Sequence, residues 1–446
     1  MPQKGKSRCN VLAPPSPMTG TPDSLLQRNV AWALTGNLGY AACQWGVLVC
    51  IAKLGSAEEL GRFALGLALT APIVTLANLH LRVLEATDTQ DAYPFGVYLS
   101  LRLVTTTLAL AAITALASGL GYHGVTFRLV LAVALAKAFE AISEIPFGLL
   151  QRAENLRRIA ASMLAKGVLS VLAVCLVLRL TGNLVIATLV MALCWGGLLV
   201  LYDLPAAARL ARLRPSVDVR EIFRLAMLAL PLGCVAGIAS LTTNVPRYAI
   251  EASLGPAALG HFAALAYLLV AANQPVLALA AAVNPRLARH VVSNVAAYRR
   301  LTLYTMAIAA GIGFLGIVTS VVCGRWLLTV MYALEYAEEV PALVWLAVAA
   351  SVGFVSSILS YAVTAARRLP EQFPIAALSL AVCAAASHFL VPRYGLVGAA
   401  WALLATESTR FVCLAAVYAA PVSSRTAREQ RPPVAQAGPE DLRIAG

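Results

Sequence analysis

What most constrains this chain is the return, along almost its whole length, of apolar stretches long enough to cross a bilayer. They fall at about 30–53, 61–82, 96–119, 128–150, 157–179, 183–203, 222–246, 259–283, 301–323, 341–364, 372–391 and 396–419. Backbone groups in hydrocarbon find no water, so each stretch must satisfy its own hydrogen bonds, and a helix does this within one segment. Of the 446 residues 60% are hydrophobic and 12% charged, with a mean hydropathy of +0.78, more apolar surface than a soluble core could enclose. The fold class read from this is an all-α polytopic membrane protein of about twelve transmembrane helices.

An internal echo divides that series in two. Leu54-Gly55-Ser56-Ala57-Glu58-Glu59-Leu60-Gly61-Arg62-Phe63-Ala64 returns, one residue shorter, as Leu254-Gly255-Pro256-Ala257-Ala258-Leu259-Gly260-His261-Phe262-Ala263. The repeat predicts a six-helix lobe over 25–204, a basic linker over 205–221 and a second six-helix lobe over 222–420, flanked by polar, disordered tails at 1–24 and 421–446. Two repeated lobes in a bilayer suggest a transporter whose cleft opens alternately to either side. An even number of spans puts both tails on one side. Arg and Lys concentrate on that side, with Arg209, Arg212, Arg214, Arg220 and Arg224 in or beside the linker, so both termini are expected in the cytoplasm.

Other function classes lose ground on the same residues. The net charge of +13 is scattered between apolar spans and forms no basic stripe with interleaved aromatics, which argues against nucleic acid. The nine cysteines show no C-x-x-C and no clustering with histidine, so they are read as small core residues, with neither a metal site nor a disulfide set among them. Gly5-Lys6-Ser7 lacks the upstream glycine of a phosphate loop, and there is no H-E-x-x-H or G-x-S-x-G. No enzymatic chemistry, cofactor or metal is expected.

Charges within the spans are the best evidence for a site, since even a lenient scale puts each at about 2.5–3.5 kcal/mol at a helix centre. On the fourth span Lys137, Glu140 and Glu144 lie at i, i+3 and i+7, and Gly148 and Gln151 continue the line, making one polar face. Two readings are open: a packing pair of Lys137 with Glu140, or the lining of a cavity, with Pro146 kinking the helix nearby. Lys166 on the fifth span has Ser162 and Ser170 at i−4 and i+4, and Glu407 and Arg410 form an i, i+3 pair on the twelfth. Arg28, Arg82 and Arg247 lie near span ends, where long cations reach the interface. Asn29, Asn37 and Asn244 are candidate hydrogen-bonding groups for sugar hydroxyls, or amides that hold helices together. Glu140, Glu144 and Glu407 are candidate ion-coupling carboxylates.

Arg28-Asn29-Val30-Ala31-Trp32 through Gly36-Asn37 and Gln44, then Leu54-Gly55 and Leu60-Gly61-Arg62-Phe63-Ala64, resemble the N-terminus of bacterial polysaccharide (O-antigen type) flippases. So do Asn244-Val245-Pro246-Arg247-Tyr248, Tyr332 through Glu335-Tyr336, and Tyr394-Gly395-Leu396-Val397-Gly398-Ala399-Ala400. The resemblance covers nearly all of 25–420. It implies the fold of the multidrug/oligosaccharidyl-lipid/polysaccharide exporter superfamily and a flippase of the bacterial inner membrane. Such a flippase carries a lipid-diphosphate-linked oligosaccharide from the cytoplasmic to the outer leaflet, with membrane lipids and a polysaccharide polymerase or glycosyltransferases as partners. On that reading Arg28, Arg82, Lys137, Lys166, Arg247 and Arg410 would offset the diphosphate. The membrane potential would favour moving negative charge outward by about 2.3 kcal/mol per charge per 100 mV. The rivals are a cation-coupled multidrug exporter of the same fold, a membrane-embedded polymerase or ligase, and an envelope-assembly scaffold. A multidrug exporter would favour an acidic residue in the first span, and none occurs between Arg28 and Lys53.

Overall fold

The computed structural model describes residues 22–88, 90–368 and 370–420. The expected tails lie outside this range, except that the first helix already begins at Pro22. Every regular element among the described residues is helical: α1 (Pro22–Leu54), α2 (Ala57–Asn78), α3 (Leu81–Thr87), α4 (Phe95–Gly119), α5 (Gly124–Arg152), α6 (Leu156–Thr181), α7 (Leu184–Leu198), a π-turn (Leu199–Asp203), α8 (Leu204–Ala208), α9 (Val219–Ser293), α10 (Val295–Met331), a 3₁₀ turn (Leu334–Glu339), α11 (Val340–Ala365) and α12 (Gln372–Ala419). Among the described residues nine helical segments are long and apolar enough to cross a membrane. α5 is not one of them, because Lys137, Glu140 and Glu144 run along it.

Short polar residues start several helices: Ser56 accepts from the Glu59 amide, Asn183 from Val185 and Ile186, and Asn294 from Ala297. α5 runs on as helix through Pro146, and the break in α9 falls at Gly255 (φ 82°, ψ 178°), directly before Pro256. α12 breaks at Gly395 (φ 59°, ψ −137°), a conformation that only glycine adopts without strain.

The contacts of the chain define two compact units, one running to Glu251 and including Gly255–Ala263, the other formed by Ala252–Leu254 and Ala264 onward. In the first unit α1 lies along α6 with small residues at the seam. A Cβ on Gly36 would come within 2.8 Å of Ala160 Cα, and one on Gly167 within 2.8 Å of Cys43 Cβ. Close approach of this kind is how membrane helices gain packing energy, since lipid offers no hydrophobic driving force between them. At one end of the same seam Cys50 and Cys175 are disulfide-bonded, with Cα atoms 5.6 Å apart. This corrects the reading of all the cysteines as core residues: the partners are 125 positions apart, and spacing in sequence holds no trace of the pairing.

The echoed segments meet inside this unit. A Cβ on Gly61 would lie 1.6 Å from the Pro256 carbonyl oxygen, and one on Gly260 would lie 2.0 Å from that of Ala57. The contacts are reciprocal, glycine of one copy against the helix start of the other. The second unit has its own core, in which Val276 and Ala280 pack on Ala309, Phe354 and Ile358. There the Tyr332 hydroxyl donates to the Ala264 carbonyl at 2.9 Å, and Tyr298 to that of Ala362 at 2.9 Å.

Candidate functional site in the membrane

The polar face of α5 organises the first unit. The Lys137 ammonium donates to Glu140 Oε2 at 2.7 Å and lies 5.6 Å from the centre of the Trp195 ring. The other Glu140 oxygen accepts from the Tyr40 hydroxyl of α1 at 2.5 Å. One turn further on, Arg82 of α3 reaches both Glu144 oxygens at 3.2 and 3.3 Å, and its Nε donates to Gln151 at 3.2 Å. Lys137, Glu140, Arg82 and Glu144 are all half-buried, so these pairs are open to exchange with another ligand. A phosphate could replace a carboxylate on either cation.

Lys166 is different. It is 2% exposed, and its ammonium donates to Asp203 Oδ2 at 2.8 Å; Asp203 is fully buried and also accepts from Ser162 at 2.6 Å. Ser170 donates to the Lys166 carbonyl and accepts from Trp195 Nε1. Phe147 joins the two halves of the network, with Lys166 Nζ 4.8 Å and Arg82 Cζ 5.5 Å from its ring centre. Lys166 is thus held by a buried carboxylate in this conformation. Asp203 was missed from the sequence. It ends the π-turn, whose wider winding, with Leu204 N–H bonded to the Leu199 carbonyl, carries it onto the Lys166 side. A lone acidic residue in the last turn of the sixth span was the one visible signal.

The remaining candidates are dispersed. Asn37 is exposed and bonds back to the Ala33 carbonyl at 2.7 Å. Arg28 is exposed on the first turns of α1, and Asn29 is half-buried beside it. Asn244 is buried; its amide donates to the Ser240 carbonyl at 2.8 Å and its oxygen accepts from Arg247 at 2.9 Å. In the second unit Arg410 approaches Glu407 at 3.6 Å, with Gly353 against the Glu407 carboxylate. Among the described residues no three His, Cys, Asp or Glu side chains converge on a point that could hold a metal.

This helical architecture is known in solved structures. The chain aligns with the lipid II flippase MurJ in an inward closed conformation at a TM-score of 0.70 and 11% identity, covering 88% of each chain. It aligns with an inward-facing multidrug resistance MATE family transporter of the MOP superfamily at 0.63 and 16% identity, over 86% of this chain and 94% of that one. The fold is therefore that of the membrane transporters of the MOP superfamily, and the chain is a multi-pass membrane protein. In sequence it is 26% identical over 394 residues to the capsular polysaccharide biosynthesis protein CapF of Staphylococcus aureus, spanning 88% of this chain and 98% of that protein. No family model matches the chain.

Proposed function

We propose that this chain is a flippase that moves a lipid-diphosphate-linked oligosaccharide from the cytoplasmic to the outer leaflet of a bacterial inner membrane, for the synthesis of a surface polysaccharide. The observation that carries the reading is the near full-length likeness to a capsular polysaccharide protein in a chain with the MOP transporter fold. The chemistry of the α5 face agrees with it. Arg82 and Lys137 are half-buried cations in exchangeable pairs, suited to a diphosphate, and Glu140 and Glu144 are the candidate ion-coupling carboxylates beside them. Arg28, Asn29, Asn37, Lys166, Asn244, Arg247 and Arg410 are kept as candidate contacts to the headgroup and its sugars, and Glu407 as a third coupling carboxylate. The flippase works as a transporter, without covalent chemistry, alongside the polymerase and glycosyltransferases of its pathway.

On this reading the chain crosses the membrane twelve times, in six-helix lobes at 25–204 and 222–420 joined by the basic segment 205–221. The count follows when α5 is included and α9 and α12 are divided at Gly255 and Gly395. Both termini face the cytoplasm.

The test is a flipping assay in proteoliposomes with a fluorescent lipid-diphosphate oligosaccharide, scored by the leaflet in which the label can be quenched. The wild-type chain should equilibrate the label, and Arg82→Ala and Lys137→Ala should each slow it at least tenfold while thermal stability in detergent is kept. Equal rates in wild type, variants and empty vesicles would sink the proposal. Export of cationic dyes by the same vesicles would instead favour the multidrug reading, which the MATE likeness keeps in view.

A further inference from the structure

Glu85 stands apart from every ion pair described above. It lies on α3, is 2% exposed, and neither of its carboxylate oxygens has a hydrogen-bond partner among the described residues. The neighbouring cations are committed elsewhere. Arg82 is held by Glu144 and Gln151, Arg102 by the side-chain and backbone oxygens of Asn78, and Arg152 by Asp91. The donors of the next turn are likewise used, since the Ala92 and Tyr93 amides and the Tyr98 hydroxyl all bond to Asp88. An ionised carboxylate that is dry and unpaired is far more costly to bury than the neutral acid.

The setting of α3 ties this group to movement. Its carboxyl presses on the bare backbone of α5: a Cβ on Gly148 would lie 2.5 Å from Glu85 Oε2 and 3.1 Å from the Arg82 carbonyl oxygen. α3 departs from α2 through two consecutive non-glycine residues in the left-handed region, Leu79 (φ 49°) and His80 (φ 52°). Such strain persists only where surrounding contacts hold it, and here Leu79 and Leu81 are held in a buried cluster with Tyr98 and Leu101 of α4, Ile145 of α5, and Leu225 and Ala229 of α9.

We propose that Glu85 is a proton-binding site that latches α3 onto α5, carrying a proton while the helix is docked and releasing it to water when the Leu79–His80 hinge lets the helix leave. Docking converts the carboxylate and a hydronium ion into carboxylic acid and water; no other bond changes. The charged and titratable groups around it are Arg152 on α5, Tyr98 and Arg102 on α4, and Asp88 just beyond its own helix. The fields of Arg152, Arg102 and Asp88 reach it most directly. The docked state holds one proton more than the undocked, so docking weakens about tenfold for each pH unit of rise once the undocked carboxyl is ionised.

Infrared difference spectroscopy on the full chain in lipid nanodiscs tests this. At neutral pH the wild type should show the carbonyl stretch of a protonated carboxylic acid that fades as pH rises, is absent from Glu85→Gln, and is kept in Glu407→Gln. The pH slope of the unfolding midpoint should flatten in Glu85→Gln. If that variant folds poorly, Glu85→Asp serves, because the band must then move to the position of an aspartic acid. No Glu85-dependent band at neutral pH would overturn the proposal and point to an ionised carboxylate bridged by water to Arg102 Nε, which also has no partner among the described residues. No transported substrate enters the measurement, so its outcome is independent of the flippase reading.

Discussion

Lys166 and Asp203 show how much a single buried charge depends on one partner. Separated by 37 positions, they meet at 2.8 Å in a place closed to solvent, with Ser162 completing the carboxylate's contacts. Removing one member leaves the other charge buried and uncompensated, which costs about 3–5 kcal/mol, whereas replacing both by apolar groups of similar volume is close to neutral. Lys166→Met should therefore lower the unfolding midpoint and the yield of protein in the membrane, and Lys166→Met with Asp203→Leu should recover most of the loss. Thermal unfolding in detergent checks this, and an unchanged midpoint in the single variant would mean the pair is not closed. The contrast with Lys137 is one of exposure: its pair with Glu140 is half-open, so its loss should be felt in transport more than in stability. The sequence placed both lysines within spans with equal clarity. Nothing in a linear pattern separates a half-buried cation paired along its own helix from one sealed against a carboxylate on another helix.

Between elements the small residues decide how close helices come. The contact of Gly61 with Pro256, and of Gly260 with Ala57, leaves no room for even a methyl group. Gly61→Val should displace the segment around 255–263 from α2 and convert the monodisperse peak of the purified protein on size exclusion into aggregate; Gly260→Val should do the same. A variant that elutes and melts like wild type would contradict the contact. The echo of these segments was legible from the residues, since Leu-Gly recurs with a Phe-Ala two and three places on. That the copies touch was not legible, because a repeat states likeness and says nothing of distance. The disulfide between Cys50 and Cys175 is the same case: each cysteine is unremarkable on its own helix, and only the close seam of α1 and α6 brings them together.

At the scale of the molecule, hydropathy and the basic residues carried most of the weight. A fluorescent or enzymatic reporter fused to the C-terminus should be active in the form that requires the cytoplasm. A reporter inserted at the 120–123 turn between α4 and α5 should be active in the form that requires the outer side. The reverse pattern would overturn the orientation. The helical class and the approximate position of the spans followed from sequence alone, because burial of backbone amides in hydrocarbon permits little besides helix over such apolar runs. The breaks at Gly255 and Gly395, the π-turn that aims Asp203, the burial of Glu85 and the choice of partner for each intramembrane charge came from tertiary structure. These depend on which side chains of distant segments share a few ångströms of space, and in a membrane, where apolar surface discriminates poorly between neighbours, such local fit selects the partner.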